Sequence, residues 1–114
     1  MEDYGTFDDL LAQTEVEYAT VTISGKSYRV GSITGDEFAA WQELRDSSPE
    51  ARKNATAVLI ARSLVDADGK RIGDETKVAQ LRKVKLKVSE AFLEAIFKLN
   101  GINQPKAEAA AKKA

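Results

Sequence analysis

The stretch "ATAVLIARSL", residues 55–64, constrains this chain more than any other. Ala55, Ala57, Val58, Leu59, Ile60, Ala61 and Leu64 cannot share one stripe of a helix, because successive residues lie about 100° apart. A helix that is apolar nearly all round must be buried, so this one is expected at the centre of the fold. Ser48-Pro49 supplies its start: serine caps the free amides, and proline at the first helical position sacrifices no hydrogen bond. The helix is expected over about 49–65, with a hairpin on one side and a later helix on the other. At 114 residues the chain can build one small domain around it.

The rest of that domain reads as α+β. Residues 16–33, "VEYATVTISGKSYRVGSI", alternate as two strands do. Ala19, Val21 and Ile23 share one face, Tyr28 and Val30 share a face after the turn, and Ser24-Gly25 suits a tight connection. Two strands alone are marginal, so helices must cover one face. Thr34 to Glu37, "TGDE", is a capping box opening a helix that carries Phe38, Trp41 and Leu44. Asp74 can cap a short helix through Val78 and Leu81. Residues 82–88, "RKVKLKV", could be strand, loop or helix, and a loop into the last helix is favoured. That last helix is expected over about 87–100, closed by Gly101 after "LN" in a left-handed cap. The organisation is therefore an acidic, partly disordered segment 1–15, a domain 16–102 with an N-terminal hairpin on about four helices, and a mobile Ala/Lys tail 103–114.

Catalysis has little to draw on. The chain contains neither cysteine nor histidine, which removes thiolate chemistry, the commonest metal ligand and the usual general base. "SGKS" at 24–27 lacks the upstream glycine of a phosphate-binding loop and lies between strands. The stretch "SLVDADGKRI", 63–72, invites comparison with a calcium loop. With Gly69 at position six, Asp66 and Asp68 fall at three and five and Glu75 at twelve. Leu64 then occupies the first ligand position and offers no oxygen, so the stretch reads as a turn at Asp68-Gly69. The expectation is no enzyme, no metal and no cofactor. The acidic beginning lacks the basic leader of a secreted chain, and no apolar run approaches a membrane span.

Charge is unevenly spread. Residues 1–25 hold six acids and no base, whereas the net charge is only −1. Arg82, Lys83, Lys85 and Lys87 form a basic run without interleaved aromatics. It reads as a charged secondary face that complements the acidic N-terminus, and nucleic acid is not expected as a partner. In the last helix, Val88, Phe92, Ala95, Ile96 and Leu99 span about 100°, and Leu93 and Phe97 extend the apolar surface further round. Such a width suits a helix wedged between two neighbours, or a face for a partner. Leu93 and Phe97 are the candidate partner-binding residues, with Trp41 a third if it proves exposed.

Taken in order, the hairpin, "TGDEFAAW", the buried helix, "SLVDADGK" and "EAFLEAIFKLNG" resemble the tail assembly chaperones of long-tailed, siphovirus-type bacteriophages. The resemblance covers about residues 16–102. It departs in a more basic stretch after "DGK" and in a longer acidic beginning. It implies a noncatalytic protein of the host cell cytoplasm that binds tape measure protein and keeps it soluble while the tail tube assembles. It also implies absence from the mature virion; tail tube protein is a further candidate partner, and the face of Leu93 and Phe97 could equally serve self-association. In many relatives a ribosomal frameshift near the end makes a longer product, and Lys112-Lys113 are where such a site would be encoded. The competing readings are a virion subunit, in a tail-completion or head–tail connector ring, and a small nucleic-acid-binding regulator.

Overall fold

The structure, a computed structural model, describes residues 3–102. The tail expected over 103–114 and the Lys112-Lys113 site lie outside the described residues. Strands β1 (Tyr18–Ile23) and β2 (Lys26–Gly31) pair antiparallel, with Ala19 opposite Val30 and Val21 opposite Tyr28. Their two connecting residues, Ser24 and Gly25, have φ of 51° and 79°. Two successive positive φ values characterise the turn whose twist matches that of paired strands. Alternation then sends Ala19, Val21, Ile23 and Val30 towards the core, as the pattern requires.

The central helix α3 (Pro49–Ser63) stops short of its expected end. Leu64 is already extended, at φ −70° and ψ 130°. With Val65 it forms β3, pairing antiparallel with Arg29 and Val30 of β2. The hairpin is thus part of a three-stranded sheet in the order β1-β2-β3. The chain doubles back at once, with Val65 bridging to Arg71 and the Ile72 amide donating to the Leu64 carbonyl at 3.1 Å.

Helix α2 (Gly35–Asp46) begins as its capping box dictates: the Thr34 hydroxyl accepts from the Glu37 amide at 3.2 Å, and the Glu37 carboxylate accepts from the Thr34 amide at 3.0 Å. Ser48 caps α3 through its hydroxyl alone, which accepts from the Ala51 amide at 3.0 Å. Asp74 starts a 3-10 turn (Glu75–Lys77) that runs on into α4 (Val78–Leu81). Its carboxylate accepts from the Thr76 hydroxyl and amide, and these bonds hold it below its ordinary pKa. Residues 82–85 are a connection without a strand, and helix α5 starts at Leu86 and runs to Leu99. It ends as "LNG" suggests. Gly101 has φ 72°, its amide donates to the Lys98 carbonyl, and the Ile102 amide donates to the Phe97 carbonyl.

Helix α5 packs against β1 and β2 on one side and against α3 on the other, while α2 also covers α3. Val21 and Val30 of the hairpin share one buried cluster with Val58, Leu59 and Ile60 of α3, α5 packs against both, and α3 joins the sheet through its continuation into β3. Leu59, Ile96 and Val30 are sealed at the centre, among Val21, Trp41, Val58, Ile60 and Phe92. Gly73 lies so close to the Ala61 backbone that any side chain there would overlap it. Among the described residues, no helix is long and apolar enough to cross a membrane.

The acidic N-terminal segment also holds structure that its charge did not suggest. Residues Phe7–Leu11 form a short helix, α1, capped by Thr6 and Asp9.

Candidate partner-binding surfaces

The last helix presents its apolar surface to two neighbours, which accounts for its width. Phe92 and Ile96 are buried, and the Tyr28 ring meets Phe92 edge-on at 5.7 Å between centroids. Leu93 and Phe97, one turn apart, lie half-buried at the rim of the core. Each therefore packs inward with part of its surface and keeps the rest open. Trp41 does not join them. It is 8 % exposed, and its indole N–H donates to the Ala55 carbonyl at 2.8 Å, so it belongs to the α2–α3 core. Phe38 packs beside it, and the Arg45 guanidinium lies 5.1 Å from its ring centroid.

The stretch "DADGK" is a turn held by its own carboxylate. Asp66 Oδ1 accepts from the amides of Asp68 and Lys70, both at 2.9 Å. Gly69 takes φ 83°, and the Asp66 amide donates to the Lys70 carbonyl. Arg29 locks this turn onto the outer face of the sheet. Its guanidinium donates to the Ala67 carbonyl at 2.7 Å and lies 3.8 Å from the centroid of the Tyr18 ring. Among the described residues no group of three acidic side chains is placed to hold a metal ion.

Beside Trp41, α2, α3 and the segment after the turn enclose an open cleft of about 450 Å³. Arg71 pairs with Glu37 and Arg62 with Glu75 across it, each at 3.1 Å. Partly exposed pairs of this kind add up to about 1 kcal/mol each, and they tie the 71–75 segment to two helices.

The basic run does not act as one surface. Arg82 turns inward to α3, donating to Asn54 at 3.0 Å and lying 3.7 Å from Glu50. Lys83, Lys85 and Lys87 are exposed and enter no ion pair among the described residues. Lys85 and Lys87 border an open groove of about 570 Å³ whose apolar lining is Ile23, Val84 and Val88. Leu86, next to it, is 72 % exposed.

Sequence reasoning missed the apolar side of α1. Phe7, Leu10 and Leu11 are exposed and follow helical spacing. "TFDD" carries the signal, since threonine with an acid three residues later is a capping pattern. The bonds from Thr6, its amide first and then its hydroxyl, hold the Asp9 carboxyl below its ordinary pKa.

No protein-family model and no curated protein matches the chain in sequence. Its fold is similar to that of the bacteriophage HK97 tail assembly chaperone, with a TM-score of 0.58 over 80 % of this chain and 90 % of that one. The two sequences are 21 % identical over the match. The expected α+β architecture and its resemblance to a phage tail assembly chaperone thus hold at the level of the fold.

Proposed function

We propose that this chain is a noncatalytic tail assembly chaperone that works in the host cytoplasm. It binds tape measure protein, keeps that long apolar client soluble while tail tube protein assembles, and is left out of the mature virion. The observation that carries this reading is the fold shared with the HK97 protein across most of both chains. The surface chemistry agrees with it. A client of apolar helices needs apolar anchors set among charges, because charge keeps the free chaperone in solution. Leu93 and Phe97 offer such anchors at the rim of the core, with Glu94 and Lys98 beside them on α5.

Co-expression with the tape measure protein of the same phage tests the proposal. The client should move from the insoluble to the soluble fraction and co-purify with this chain. Recovery of this chain from washed virions as a stable ring, with no effect on client solubility, would establish the connector reading in its place.

A further inference from the structure

The outer face of α2 is open. Asp36, Ala39, Ala40 and Glu43 are exposed and, at about 100° per residue, fall within one stripe opposite the buried Trp41. Neither Asp36 nor Glu43 enters an ion pair among the described residues. The chain leaves α5 beside the start of this stripe, where Asn100 and Ile102 share a small cleft with Thr34, Gly35 and Phe38. We propose that residues 105–113, "PKAEAAAKK", lie along this face as a helix parallel to α2.

Three observations select that occupant. The first is spacing. Asp36, Ala39, Ala40 and Glu43 stand at i, i+3, i+4 and i+7, and so do Lys106, Ala109, Ala110 and Lys113. Side by side and parallel, the two stripes set base against acid at each end and alanine against alanine between them. Alanine pairs bring helix axes to the near end of the usual separation, about 8 Å. The second is charge: two lysines meet two carboxylates that otherwise face water, and such complementarity fixes register. Glu108 and Lys112 fall on the far side, one turn apart, where they stabilise the segment's own helix. The third is reach. From Ile102 to Lys106 the chain can span about 14 Å, more than the ~10 Å width of a helix. Nine helical residues then cover about 13 Å, within the length of α2 at about 18 Å. Pro105 suits the first helical position, and the alanines after it favour helix. A helix this short is marginal alone, so the face of α2 is what keeps it folded. Helix α2 thereby becomes a middle layer, with α3 inside it and the segment outside. A partner for this acidic face must first displace the segment.

The test uses the full chain alone, so it stands or falls independently of any client. The sequence has no cysteine, so Ala40→Cys with Ala110→Cys supplies one pair of thiols where the stripes meet. Mild oxidation of a dilute sample should link them within one chain, and mass spectrometry of a digest should find the two peptides joined. Ala40→Cys with Glu108→Cys puts the second thiol on the far side of the segment. It should link roughly tenfold more slowly, because the bond needs its two β-carbons close together. Lys106→Glu with Lys113→Glu, added to the first pair, should slow linking at low salt. Further addition of Asp36→Lys with Glu43→Lys should restore the rate, since each charge then faces its opposite. Equal rates at the two cysteine placements would overturn the proposal. So would a rate indifferent to the first reversal, or one that the second reversal fails to restore. Linked dimers in place of linked monomers would give the face of α2 to another copy and refute it as well.

Discussion

Asn100 closes the domain on Ile33. Its side-chain Oδ1 accepts the Ile33 amide at 2.9 Å, joining the end of α5 to the segment that leads into α2. The same side chain donates from Nδ2 to the Ile96 carbonyl at 2.8 Å, which fixes its rotamer. The "LNG" that ends α5 thus has two jobs: glycine turns the chain, and asparagine fastens it to an element 67 residues away in sequence. Asn100→Ala would leave a part-buried amide without its partner, a loss of about 1–3 kcal/mol. For a domain of this size each kcal/mol lowers Tm by roughly 4–8 °C. Thermal melting followed by circular dichroism measures it, and Asn100→Asp, which keeps the acceptor but turns a carboxylate oxygen towards the Ile96 carbonyl, should not restore the original Tm.

Gly73 touches α3 backbone to backbone, against Ala61. Gly73→Ala would push the 71–75 segment off the helix and strain the Arg71–Glu37 and Arg62–Glu75 pairs that hold it. Overpacking at such contacts costs about 1–3 kcal/mol. Chemical denaturation should show a lower midpoint with an unchanged slope. Gly25→Ala is the comparison at an open position, where the only penalty is the positive φ.

What could be read from the sequence was local. Thr34 with Glu37, Ser48 with Pro49, Ser24 with Gly25, and Gly101 each specify a boundary through bonds within a few residues, and each boundary stands where it was expected. Leu64 and Val65 continue an apolar run and so fit a helix in sequence. Only their pairing with Arg29 and Val30, more than thirty residues away, makes them strand. The place of α5 between α3 and the sheet is likewise a tertiary outcome, and it converts much of the wide apolar face into core. Trp41 and Phe97 look alike in sequence as aromatic positions on amphipathic helices. What separates them is the Ala55 carbonyl, which gives the indole N–H a buried partner.

The cap of α1 depends on pH. Bonds to Thr6 depress the Asp9 carboxyl pKa below its ordinary 3.8. A carboxyl whose folded pKa is depressed stabilises the fold above its unfolded pKa, and that contribution fades as pH falls through the folded value. Helix α1 should therefore fray below about pH 4, while the core helices remain. Protection of the Asp9 and Leu10 amides, measured against the intrinsic exchange rate at each pH, should fall in acid before any change at Leu59 or Ile96. In Asp9→Asn, which keeps an acceptor but cannot titrate, the acid step should vanish.

Phe97 distinguishes a binding surface from a plain core edge. Its ring is half-buried and packs against the core cluster, whereas Phe92, five residues earlier, is buried. Truncating Phe92 to alanine should cost about 3–5 kcal/mol, as for a fully packed aromatic, and lower Tm sharply. Phe97→Asp keeps most of the core and puts a charge on the rim, so its loss of stability should stay within about 0.5–3 kcal/mol. If Phe97 anchors the tape measure protein, its loss should cost at least about 2 kcal/mol of binding, or roughly 30-fold in Kd. Leu93→Asp should behave alike, and the pair should fall short of additivity because the two side chains are one turn apart. Titration calorimetry against a tape measure segment, beside melting curves of the same variants, reads both quantities. Weakened binding at preserved Tm assigns the rim of α5 to the client; a collapse of Tm with unchanged binding per folded molecule assigns Phe97 to the core.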